Sequence, residues 1–116
     1  MNIAVIGGGA SGLVAAIAAA RNGAKVTIYE KMNKAGKKIL ATGNGRCNYT
    51  NMNISISRYH GKNIKLAENV LNSFDLDRTL CFFEDMGITP RSGSLGKVYP
   101  NSLQSSSVLD VLRYEI

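Results

Sequence analysis

Three glycines in a row close the first apolar stretch of this chain: Ile3-Ala4-Val5-Ile6 runs into Gly7-Gly8-Gly9-Ala10-Ser11-Gly12, and the first charged side chain is Arg21. A short apolar run bounded by glycine reads as a strand, and glycine lets the backbone leave it through a turn that Cβ atoms would obstruct. The stretch from Gly12 to Gly23, rich in alanine, reads as a helix with Gly23 at its C-terminal stop. Lys25-Val26-Thr27-Ile28-Tyr29-Glu30 then supplies β-branched and aromatic residues for a second strand. Strand, glycine turn, helix and strand make a parallel βαβ unit over residues 2–31.

The glycines also fall in the pattern G-x-G-x-x-G, at Gly7, Gly9 and Gly12. In such a unit the first permits the tight turn, the second lets a pyrophosphate approach the backbone, and the third lets the helix lie close to the sheet. The free N–H groups at the helix start, including those of Ala10 and Ser11, carry about half a positive charge from the aligned peptides, so they suit anionic phosphates without a lysine. Glu30 stands 23 residues beyond Gly7 and 18 beyond Gly12, where a carboxylate ending the second strand can accept from an adenosine ribose. A 2′-phosphate about 4 Å from that carboxylate would be repelled by roughly 4 kcal/mol, on the order of a thousandfold in affinity. The pattern therefore predicts a site for FAD or NAD that rejects NADP.

Four glycines in six positions, no basic residue before Ile3 and Arg21 soon after set the uncharged start apart from a signal peptide or a membrane span, so a cytoplasmic protein that avoids membranes is expected. Cys47 and Cys81 are 34 residues apart and His60 is the single histidine, so neither a disulfide framework nor a metal site is indicated. The net charge of +6 is uneven: residues 21–65 hold ten Lys/Arg against Glu30 alone, +9, whereas residues 66–116 carry −3. The basic block adjoins the proposed phosphate site. It lacks a nucleic-acid motif and interleaves only Tyr29, Tyr49 and Tyr59, which argues against a nucleic-acid partner.

Residues 31–51 form the second informative segment. Glycines there permit close approach to a ligand, lysines can neutralise phosphate, and Asn, Thr and Arg can bond the edge of a polar ring. On these grounds Asn44-Gly45 is equally a ligand loop or a hairpin turn. The run Gly36-Lys37-Lys38-Ile39-Leu40-Ala41-Thr42-Gly43-Asn44-Gly45-Arg46-Cys47-Asn48, behind that glycine fingerprint, resembles the BaiN-like family of bacterial NAD(P)/FAD-dependent flavoproteins. The resemblance extends over essentially the whole chain, including Gly87-Ile88-Thr89 and Gly96-Lys97-Val98-Tyr99-Pro100, but only over the front part of a family member.

The resemblance implies the N-terminal part of a Rossmann-like, glutathione-reductase-type FAD-binding fold. It also implies that FAD is the dinucleotide and, in the full-length protein, that NAD(P)H is the electron donor. By that analogy Gly7, Gly9, Ala10, Ser11 and Gly12 hold the pyrophosphate, and Glu30 with Lys31 faces the adenosine. Lys38 and the loop Gly43, Asn44, Gly45, Arg46, Cys47 and Asn48 lie toward the ribityl chain and flavin. A thiol near a flavin could exchange electrons with it, but Cys47 has no resolving partner nearby in sequence, and packing is the plainer role. No catalytic acid, base or nucleophile is identified.

Beyond residue 60 the pattern is helical, then a hairpin. Residues 63–74 align Ala67, Val70, Leu71 and Phe74, and residues 76–86 align Leu76, Leu80, Phe83 and Met86, as core-facing stripes, with Asp75 as N-cap and Gly87 as stop. Residues 88–91 and 97–100 flank Ser92-Gly93-Ser94-Leu95-Gly96, a short hairpin whose prolines predict an edge position and whose Arg91 and Tyr99 are expected to be exposed. Residues 107–116 read as a helix capped by Ser107. No second βαβ unit follows residue 30, so the chain reads as the front of a longer FAD-binding domain. Alone it should bind FAD weakly, and its unpaired sheet edge invites self-association. An NAD-binding dehydrogenase fragment, or a non-catalytic flavin- or nucleotide-binding module, are the alternatives. The substrate is unspecified.

Overall fold

A computed structural model describes all 116 residues. The chain opens as expected, with β1 (Asn2–Ile6), α1 (Ala10–Arg21) and β2 (Lys25–Tyr29), the two strands paired in parallel from Asn2 opposite Lys25 to Ile6 opposite Tyr29. Alternation along both strands sends Ile3, Val5, Val26 and Ile28 toward α1 and leaves Ala4, Ile6, Thr27 and Tyr29 outward. Gly7, at φ 97°, makes the turn out of β1, and Gly23, at φ 82°, follows the end of α1.

A second, antiparallel sheet has the order β3 (Thr50–Asn51), β5 (Lys97–Pro100), β4 (Pro90–Ser92). The hairpin forms where the sequence places it, but β5 is its central strand. Pro100, at the end of the strand opposite Pro90, interrupts no ladder there, so of the hairpin's two strands only β4 sits at an edge of the sheet. Tyr99 is buried rather than exposed, because Arg46 lies over its ring and Gly43 and Gly93 pack against the ring edges.

Helices α2 (Ile64–Ser73) and α3 (Leu76–Asp85) start at Asn63 and Asp75, whose side chains accept from the amides of Leu66 and Arg78. Their apolar stripes are less covered than expected. No residue of either helix is fully buried, and Val70 and Phe74 remain exposed. The last helix, α4 (Ser105–Tyr114), begins two residues before the expected Ser107 cap. The Ser107 hydroxyl pairs with that of Ser102, and the Ser105 hydroxyl donates to the Leu40 carbonyl, so these serines tie the first turn to its surroundings.

The core lies between α1 and α4: Leu13 and Ile17 from one meet Val108, Leu109 and Leu112 from the other, with Ile39, Cys47 and Ile88 filling the sides. No helix is long and apolar enough to cross a membrane.

Candidate functional site

Gly9, in extended conformation, caps α1 without any side-chain hydrogen bond, and its carbonyl accepts the first helical bond, from Leu13. The amides of Gly9, Ala10, Ser11 and Gly12 meet no acceptor within the protein. Four successive donors at the positive end of a three-turn helix therefore stay available for an anion. Space is reserved there too, since a Cβ at Gly9 would touch nothing within 4 Å. Gly12 differs. A Cβ on it would stand 1.9 Å from the Gly7 carbonyl oxygen, so its lack of a side chain lets α1 start against the end of β1.

Beside this turn, Ile6, Gly7, Tyr29, Glu30 and Lys31 line an open groove of about 550 Å³ at the ends of both strands. The structure thus brings Gly7, Glu30 and Lys31 together, at the position where parallel sheets of this kind receive nucleotides. One carboxylate oxygen of Glu30 accepts from the Gly8 amide at 2.6 Å and the other from the Met32 amide at 2.9 Å. These bonds, that from Met32 first and that from Gly8 second, hold the carboxyl below its usual value of 4.5. Each oxygen keeps a second lone pair, which leaves capacity for two ribose hydroxyls.

The later residues form a separate cluster against the second sheet, and none of them lines the Ile6–Lys31 groove. A nine-residue stretch of 3₁₀ turns, Lys37–Gly45, is broken at Thr42, which is extended, and at Gly43 and Asn44, both left-handed at φ 55°. The Asn44-Gly45 pair is a turn, closed by the Arg46 amide donating to the Gly43 carbonyl, but no paired strands flank it, so it is not a hairpin. Arg46 lays its guanidinium 4.6 Å from the centre of the Tyr99 ring. Asn48 is partly committed to structure, its carboxamide oxygen accepting from the Val98 amide. Lys38 is exposed, with no ion-pair partner.

Cys47 packs in the core with only 6 % of its surface exposed, and burial pushes its thiol above the ordinary 9.0. That environment suits packing better than thiolate chemistry. Next to it, Tyr49 is pushed up to about 12, by burial first and by Glu84 second, and its hydroxyl finds no partner.

Gly8 was given no task by the sequence pattern, yet it is buried and seated against the following segment. A Cβ there would come within 2.9 Å of the Ala35 side chain, and the Gly36 amide donates to its carbonyl at 2.6 Å. A third consecutive glycine where the fingerprint needs only two was the available signal.

Known proteins resemble this chain along most of its length. The chain is 52% identical over 116 residues to a 3-dehydro-bile acid delta(4,6)-reductase of Clostridium scindens, covering 98% of this chain and 28% of that protein. It is 29% identical over 111 residues to a ribosomal RNA dihydrouridine synthase of Haemophilus influenzae, and 28% over 108 residues to the protein of that name from Escherichia coli. Those alignments cover 96% and 93% of this chain and 27% of each synthase, so it spans little more than a quarter of these relatives' length. The model of the HI0933-like protein Rossmann domain matches residues 1–116, end to end, and the chain belongs to that family.

Proposed function

We propose that these residues form the FAD-binding part of a flavin-dependent oxidoreductase that draws its electrons from NAD(P)H. The observation that carries the reading is the row of four unpartnered amides, Gly9 to Gly12, opening next to the Glu30 carboxylate. That pairing of donors for a pyrophosphate with an acceptor for a ribose suits a dinucleotide better than a lone phosphate. Gly7, Gly9, Ala10, Ser11 and Gly12 would hold the pyrophosphate, and Glu30 with Lys31 the adenosine. Lys38 and residues Gly43 to Asn48 would lie toward the flavin, with the Cys47 side chain serving as core packing. Bound FAD supplies hydride or electron transfer, and the protein's share is to hold and orient it.

Membership of the HI0933-like family and the similarity to a reductase support the assignment. One relative's name denotes a reductase and the others' the making of a dihydro product, so hydrogen transfer is common to both. The higher identity to the bile acid reductase favours a small-molecule substrate over RNA. Purification of the full-length protein is expected to yield a yellow sample whose released cofactor is FAD, bleached anaerobically by NADH or NADPH. A colourless protein that takes up no FAD on reconstitution would refute the reading, and a bound NAD in its place would establish the dehydrogenase alternative.

A further inference from the structure

Gly8 is held at both of its polar atoms. Its amide is taken by Glu30 and its carbonyl by the Gly36 amide. The Gly36 amide shares a peptide plane with the Ala35 carbonyl, and that carbonyl accepts two bonds from Arg113 of α4, at 2.6 Å from Nη2 and 3.2 Å from Nε. The Gly8 carbonyl likewise shares a plane with the Gly9 amide, the first of the four free donors. Two rigid peptide groups therefore run head to tail from a guanidinium to the anion-facing turn. Behind them Gly36 is wedged in place: a Cβ there would stand 2.3 Å from Leu109 Cδ1 and 3.0 Å from Leu13 Cδ1, so the relay rests on the α1–α4 core.

We propose that Arg113 is a positioning residue for the dinucleotide site, fixing the Gly8–Gly9 peptide with its N–H toward the ligand through the Ala35–Gly36 peptide. The inference rests on the dinucleotide reading above. The physical reason is directional. A peptide at a glycine-rich turn can flip, and the flipped form would present a carbonyl oxygen to the phosphates instead of an N–H. Each bond in the relay opposes that flip, and a cation at its far end polarises both peptides in the sense that strengthens the last donor.

Arg21 provides the matched comparison. It also fastens α4, by a 2.9 Å ion pair with Glu115, but touches no part of the relay. In the full-length protein, Arg113→Met is expected to weaken FAD about tenfold by fluorescence titration, the loss of one charged hydrogen-bonding group, while Arg21→Met leaves affinity unchanged. Arg113→Lys, which keeps a cation and a donor, is expected to restore most of the difference, and serves as the test should the methionine variant not fold. Without any ligand, hydrogen exchange at the Gly36 amide should quicken in Arg113→Met and stay as in the parent in Arg21→Met. Equal FAD affinity in Arg113→Met and the parent, an equal loss in Arg21→Met, or unchanged Gly36 exchange would overturn the proposal. A parent protein that binds no FAD would refute the dinucleotide reading instead, and the Gly36 exchange would still decide whether the relay exists.

Discussion

At residue scale, Gly9 and Gly12 separate two demands on the same amino acid. Gly12 is required by the protein itself, since any Cβ collides with the Gly7 carbonyl, whereas Gly9 leaves room that the protein does not fill. Gly12→Ala is therefore expected to destabilise the fold by about 3 kcal/mol in urea denaturation, and Gly9→Ala to leave stability within about 0.5 kcal/mol while weakening FAD. Glu30 gives a second test. Its folded pKa lies below 4.5, so the stability from its bonds to Gly8 and Met32 is fully present above 4.5 and is lost as pH falls through the lower folded value. The NMR titration midpoint of the Glu30 carboxyl is expected below 4.5, and Glu30→Gln should remove that part of the acid dependence. A midpoint at or above 4.5 would mean that the two amide bonds do not persist in solution.

At element scale, the parts governed by local chemistry were legible in the sequence. β1, α1 and β2 followed from hydrophobic run, glycine turn and β-branched content, and α3 followed from Asp75 and Gly87. Asp75→Ala is expected to cost about 1 kcal/mol, read by thermal or chemical denaturation, without changing FAD affinity. The parts governed by partners distant in sequence were not legible. Tyr99 is buried because Arg46 and Gly43, more than fifty residues earlier, cover its ring. Helix α4 starts at Ser105 because that hydroxyl finds the Leu40 carbonyl, which no local signal announces. In the candidate site the same division holds. Gly7, Gly9, Gly12 and Glu30 were readable from spacing, while the bond between Gly8 and Gly36 and the reach of Arg113 depend on a tertiary meeting.

On the scale of the whole molecule, this chain carries more surface than its mass calls for. A compact protein of 12.5 kDa exposes about 6,200 Å², and this one exposes 7686 Å². Its radius of gyration, 14.7 Å, likewise exceeds the about 13 Å of a compact chain of that length. Part of the excess is apolar: Ile6 and Tyr29 stand 81% and 59% exposed on the open face of a two-stranded sheet whose outer edges are both unpaired. Residues 1–116 in isolation are expected to self-associate, with the light-scattering mass rising with concentration. A monomer at all concentrations would show that the open sheet tolerates water. The account as a whole turns on bare backbone amides meeting the phosphates. FAD added to the ¹⁵N-labelled full-length protein is expected to shift the amide resonances of Gly9, Ala10, Ser11 and Gly12 downfield and slow their exchange. Stoichiometric FAD binding that leaves those four resonances where they were would contradict it.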